Sequence, residues 1–339
     1  MARYSASQNK VVGRYESGTY GTPMAGSPGF WIGQVVSNAI DDAENKIPTR
    51  YLGTATRSLD GMDEGVRDVT GTINFRTQNF RLPLYSIGSL VETTSGTNVM
   101  HYKATEIGTT VKQNPFVSGQ YNPPMSFTLE DSKQALSGTG LFFIRTINGC
   151  IPDVCRITAS PTEVVTTEVD YIGQTLTFSS GATTTVTEIT DTPYAFGDVT
   201  LTMAGSGVTA KEVTLEINQN HTGPHYLDGT RDISTPYPGN RDYSLDVTMD
   251  LDSNMARIWY EQYYKSGSVF NTTLDFNRNL GTTVGSQHAI FYLSGCHVTN
   301  MDNPSEVEGV NESTLEIIPE SIFAEEYTQH ILVGVSGII

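Results

Sequence analysis

The chain has 339 residues, of which 37% are hydrophobic and only 17% charged, with a net charge of −17 at neutral pH. That length allows two domains with real cores, and the composition excludes a highly charged disordered chain. The acidic surplus argues against tight binding of nucleic-acid phosphates, because few cations are present to release counterions.

The remaining composition is rich in Thr, Ser and Gly, and with short apolar alternations it reads as mainly β. Cys150, Cys155 and Cys296 are too few for a disulfide scaffold and lack zinc-binding spacing, so buried reduced thiols are expected. The opening "MARYSASQNK" has no apolar signal-peptide core, and the longest apolar run, "HILVGVSGII", is far short of a membrane span. A soluble protein made in the cytosol, without membrane insertion, is the expectation.

In chain order, residues 1–45 carry "SGTYGTPMAGSPG" at 17–29 and read as an N-terminal arm or loop. A first domain is placed at 46–190, a second at 191–325 and a C-terminal arm at 326–339. The first clean strand is "DVTGTINFRT", with Val69, Gly71, Ile73 and Phe75 on one face and Thr70, Thr72, Asn74 and Arg76 on the other. A short helix is expected in "FRLPLYSIGSL", where Phe80, Leu84 and Ile87 share a side and Pro83 sits in the first turn. A long loop, 91–122, follows. The Thr-rich bridge 174–210 reads either as an inserted hairpin or as the last strands of the first half.

The second half repeats the pattern. "DYSLDVTMDL" turns Tyr243, Leu245, Val247, Met249 and Leu251 inward, and Asp242, Ser244, Asp246, Thr248 and Asp250 outward. A helix is expected in "NMARIWYEQYYKSG", with Met255, Ile258, Trp259 and Gln262 on one side and Gly267 ending it. Landmarks recur in order: Tyr51-Leu52, Arg57, Gly65 and Arg67-Asp68 answer Tyr226-Leu227, Arg231, Gly239 and Arg241-Asp242. Gly149-Cys150 answers Gly295-Cys296, and "EVVTTEV" at 163–169 answers "EGVNEST" at 308–314. Several matches in register point to a duplication, with too few copies for a solenoid.

Catalytic and cofactor chemistry finds little support. Asp250, Asp252, Asn254 and Glu261 match positions of a calcium loop, but Met255 stands where its sharp turn needs glycine. Helix capping is the better reading. Gly138-Thr139-Gly140 is a turn, and His221 and His225 read as surface histidines in a proline-broken loop. No nucleophile elbow appears, so neither an enzyme, a metal nor a cofactor is expected. The scarce arginines Arg57, Arg67, Arg231 and Arg241, beside Asp68 and Asp242, have two compatible readings: pinning local turns, or giving register at subunit contacts.

The runs "RYLGTATRSLDGMDEGVRDVTGTINFRTQN", "INQNHTGPHYLDGTRDISTPYPGNRDYSLDVTMDLDSN" and "GCHVTNMDNPSEVEGVNESTLEIIP" resemble the tail tube (major tail) proteins of long-tailed bacteriophages. The resemblance covers most of 46–320. It implies two related antiparallel β-sandwich or partial-barrel domains with short flanking helices, forming a continuous β-barrel tube on oligomerisation. It implies a virion tail component whose stacked rings pass double-stranded DNA, with tape-measure, tail-terminator and distal tail proteins as partners. Because the domain occurs twice, a pseudo-sixfold ring of three chains is expected, with six as the alternative. The polar faces, Asp242, Ser244, Asp246, Thr248 and Asp250 together with Thr70, Thr72 and Asn74, are then expected to line the channel. The rival readings are a secreted or surface carbohydrate-binding adhesin and a head–tail decoration or sheath component.

Overall fold

A computed structural model of the chain describes residues 4–16, 20–24, 29–49, 61–95, 99–105, 126–135, 142–181, 183–189, 191–227, 229–250, 258–279, 286–302 and 312–329. Among these, eighteen strands form one antiparallel hydrogen-bonded network. The first half contributes β1 (Tyr4–Tyr15), β2 (Gly29–Trp31), β3 (Gln34–Thr49), β4 (Gly61–Arg76), helix α1 (Arg81–Ile87), β5 (Ser89–Ser95), β6 (Val99–Thr105), β7 (Phe127–Ala135), β8 (Phe142–Ala159), β9 (Thr166–Gly173) and β10 (Thr175–Ser179). The second contributes β11 (Val199–Met203), β12 (Ser206–Val208), β13 (Ala210–Asn218), β14 (Asp242–Asp250), a π-helical segment (Ile258–Lys265), β15 (Phe270–Asn279), β16 (Ser286–Asp302), β17 (Glu312–Ile318) and β18 (Ser321–Gln329).

A central sheet runs β3–β4–β9–β8–β13–β14–β17–β16. One outer sheet runs β2–β1–β7–β8–β10, and another runs β12–β11–β15–β16–β18–β6–β5. Strands β8 and β16 belong to two sheets each because they turn a corner. Their corners are Gly149-Cys150 and Gly295-Cys296, where both glycines have φ of 66°. A side chain costs about 1–2 kcal/mol in that left-handed region, so glycine is the residue that bends the strand there. Both thiols then donate to the carbonyl three residues back, Cys150 to Ile147 and Cys296 to Leu293, each at 3.5 Å.

The alternation read from sequence sets the core. Val69, Ile73 and Phe75 on β4, and Tyr243, Leu245, Val247 and Met249 on β14, are buried, while Thr70, Asp242, Asp246 and Asp250 are exposed. The halves meet where β8 pairs with β13, placing Ile157 opposite Leu215 and Cys155 opposite Ile217, all buried. Each such fully buried aliphatic side chain contributes about 1.5–3 kcal/mol. A ring cluster of Phe80, Tyr194, Phe276 and Phe291 joins α1 to the second outer sheet, with centroids 4.6–6.1 Å apart.

Several segments differ from the sequence expectation. Residues 4–15, 29–31 and 34–49 are strands where the small-residue composition reads as arm or loop, since their partners β7 and β4 supply the ladders. The bridge is split: Thr175–Ser179 pairs with β8, and Val199–Met203 pairs with β15. Within 91–122, β5 and β6 form a hairpin docked on β18, and 106–122 lie outside the described residues. The second helix is π-helical and buries Trp259 with Tyr263 packed behind it, whereas Ile258 and Gln262 are exposed. A π turn advances each residue by a smaller angle than an α turn, which shifts the buried face. Leu251, Met255 and Arg57 lie outside the described residues.

Candidate assembly interface

The solvated face of the central sheet gathers the predicted polar residues. Directly opposite residues run in rows, and one row is Asn74, Glu168, Arg156, Glu216 and Ser244. A second is Arg76, Thr166, Thr158, Thr214, Asp246, Glu316 and Asn300. Paired residues of an antiparallel ladder point to the same side, so the outward sets of β4 and β14 share one surface.

That surface is acidic, with Arg156 and Lys211 each held among carboxylates. Arg156 donates to Glu216 at 2.7 Å and Glu168 at 2.9 Å, and lies 3.5 Å from Asp170. These carboxylates hold its guanidinium above its ordinary range, hydrogen bonding to Glu216 being the main cause. Lys211 bridges Asp250, at 2.6 Å, and Glu312. Thr72 donates to Asp170 at 2.6 Å, and Thr248 shares a hydrogen bond with Thr314 at 3.1 Å. Partial burial, then Glu316 and Glu216, push the Asp246 carboxyl above its ordinary value. Arg156, Glu168, Asp170, Glu216, Lys211, Glu312 and Glu316 were missed from sequence. The outward positions of "DVCRITA", "KEVTLEIN" and "ESTLEII" would have supplied most of them, had alternation been followed strand by strand.

The arginines of the repeat meet across the halves. Arg67 grips Asp42 with two bonds, Nε to Oδ1 at 2.6 Å and a terminal nitrogen to Oδ2 at 2.7 Å. Arg231 donates to the Gly65 carbonyl at 2.7 Å and to Glu64, while the Arg67 amide donates to the Arg231 carbonyl at 2.9 Å. Asp68 takes His225 Nε2 at 2.9 Å, and Asp242 accepts from Asn220 Nδ2 at 2.8 Å. Arg241 is half-buried at the start of β14. The loop between β13 and β14 is thereby tied to the β3–β4 hairpin. His221, expected at the surface, is instead buried beside Asp153, whose Oδ1 accepts the His221 amide at 2.7 Å.

The three thiols are buried, and burial raises the pKa of each, that of Cys155 to about 12. Among the described residues no helix is long and apolar enough to cross a membrane. The Asp252 and Asn254 positions of the calcium-loop pattern lie outside the described residues.

Among the described residues the central sheet is antiparallel throughout and ends at β3 and at the far part of β16, which defines a β protein built from strand pairing. The family model for phage tail tube protein matches residues 7–317, and the chain belongs to that family. The protein is a structural component of the virion tail. Comparison with curated proteins gives no match.

Proposed function

We propose that the chain is a duplicated tail tube subunit, three copies of which close a pseudo-sixfold ring that stacks into the channel for double-stranded DNA. The supporting observation is that the ladders of one half recur in the other. β3–β4, β4–β9, β9–β8, β8–β7, β8–β10, β7–β1 and β1–β2 answer β13–β14, β14–β17, β17–β16, β16–β15, β16–β18, β15–β11 and β11–β12. Ladder irregularities also recur, after Val35 and Ala210 and after Pro152 and Val298. In this register Arg67-Asp68 answers Arg241-Asp242, as in the sequence repeat. By contrast, Thr166 answers Glu312, one residue from the sequence matching. The modules so proposed divide between Ser179 and Val199, and the segment before residue 46 belongs to the first.

Three chains would close a barrel of about 24 strands. At about 4.8 Å spacing and about 40° tilt, its backbone diameter is about 48 Å, wider than a nucleic-acid duplex after side chains are subtracted. The solvated face, with Asp242, Ser244, Asp246, Thr248, Asp250, Thr70, Thr72 and Asn74, lines this channel in the proposal. Its acidity would leave a passing polyanion few tight contacts. Tape-measure, tail-terminator and distal tail proteins would fill the lumen and the two ends.

Electron microscopy of the purified protein, with ring mass measured separately, tests this. Rings or tubes with a central hole and a mass of three chains are expected. A persistent monomer, or binding that depends on sugar, would move the protein to the adhesin reading, and a ring of six chains would overturn the stoichiometry.

A further inference from the structure

The two ends of the central sheet are not equivalent to its internal junction in charge, and this gives the contact between copies a distinct chemistry. Inside the chain, β13 lies on β8 with Ile217 opposite Cys155, Asn218 opposite Val154 and Glu216 opposite Arg156. The recurrent ladders make β3 the counterpart of β13 and β16 the counterpart of β8. Among the described residues β3 pairs with β4 alone, and beyond Cys296 β16 pairs with β17 alone.

Three further observations point to a second copy on these edges. Leu82–Ile87 of α1 are buried, and α1 packs on β8, β18 and β13, whereas its counterpart, the π-helical segment on β16, exposes Ile258, Tyr260 and Tyr264. The β3–β4 hairpin exposes Val36, Ile47, Met62 and Val66. Neither amide atom of Asn38, on β3, has a hydrogen-bond partner although both are buried. An element covered inside the chain and bare at its end marks where the next copy belongs.

Resting on the tube reading above, we infer that β3 of one copy docks antiparallel on residues 300–302 of the next. Transferring the internal register places Asp42 opposite Met301, Ala43 opposite Asn300 and Asp41 opposite Asp302. The internal junction has an arginine–glutamate pair at the last of these positions; the contact between copies has two exposed aspartates, with Glu316 in the adjoining row. Like charges directly opposite weaken a ladder that an opposite pair would support. The contact between copies is therefore the ionic-strength-sensitive joint of the ring: salt, which shortens the screening length to about 10 Å at 0.1 M, favours closure, and low salt opens it.

The test uses the full chain and two pairs of variants. Asp302→Arg recreates the charge arrangement of the internal junction and is expected to lower the protein concentration needed for assembly at low salt by a few-fold. Glu163→Arg, an exposed turn substitution that makes the same change in net charge, is expected to move it much less. Opposite residues in such a ladder lie about 4.5–5.5 Å apart, within reach of a disulfide, so Ala43→Cys with Asn300→Cys should oxidise to covalent oligomers. Ala39→Cys with Asn300→Cys, a slipped register, should not. Tubes whose assembly is unmoved by Asp302→Arg, or which cross-link only through the slipped pair, would overturn the inference while leaving the tube reading standing. Absence of rings and tubes at every salt concentration, in wild type and variants alike, would overturn both.

Discussion

Glu326 carries the most direct energetic test of the fold. It points inward from β18 and is buried, accepting the Phe80 amide at 3.1 Å where α1 begins. Burial pushes its carboxyl up to about 7 from an ordinary 4.5, against the opposing pull of the Phe80 amide and the nearby Arg81 charge. Because the folded state holds this proton more tightly than the unfolded chain, the group's contribution to stability is fully present below pH 4.5. It is lost as pH rises through about 7. The difference corresponds to about 3 kcal/mol across that window. Glu326→Gln keeps an oxygen for the Phe80 amide and carries no charge at any pH. Wild type and variant should be about equally stable at pH 4, and the variant should gain over wild type by up to about 3 kcal/mol by pH 8. Urea unfolding followed by Trp31 and Trp259 fluorescence, at concentrations below assembly, gives the difference at each pH, and the remaining carboxylates cancel between the two proteins. A difference that stays constant from pH 4 to 8 would refute the reasoning, because it would mean that the carboxyl keeps its water.

Alanine at the corner glycines should combine backbone strain with crowding. At Gly149 the added carbon would lie 2.9 Å from Gln174 Cβ and from the Tyr20 ring, and at Gly295 it would lie 2.9 Å from Glu320 Cβ and 2.8 Å from its Cγ. Thermal unfolding should therefore show both variants losing more than the left-handed strain of about 1–2 kcal/mol, Gly149→Ala the more because a ring is crowded there as well. Arg156→Met leaves Glu216, Glu168 and Asp170 facing one another across the internal junction. The pairs are substantially solvated, so denaturation should show a loss of only about 1 kcal/mol, shrinking as salt is added. A thiol reagent at pH 8 should leave Cys150, Cys155 and Cys296 unmodified in the folded chain and label all three in urea, since each is buried with its pKa raised.

Local alternation was legible along the chain. The inward set of β14 and the inward set of β4 could be read because side chains alternate at every residue of a strand, whereas Gly149-Cys150 and Gly295-Cys296 could be read only as a recurring pair, their place at strand corners coming from the fold. The same rule, applied to "DVCRITA" and "KEVTLEIN", leads to the Arg156 cluster. Pairing was not legible, since ladder partners are chosen by burial over long separations: Arg231 meets Glu64, and Phe80 meets Glu326. The strands at Tyr4–Tyr15, Gly29–Trp31 and Gln34–Thr49 were hidden for that reason, because nothing local in them shows that β7 and β4 supply the opposite rows.

By itself, then, the amino-acid order determined a mainly β protein, the faces of its best strands and the recurrence of one pattern. Tertiary structure alone decided which edges are closed within the chain and which, among the described residues, have no partner strand. Hydrogen bonding along a strand is indifferent to residue type, so only three-dimensional placement tells a filled edge from an open one.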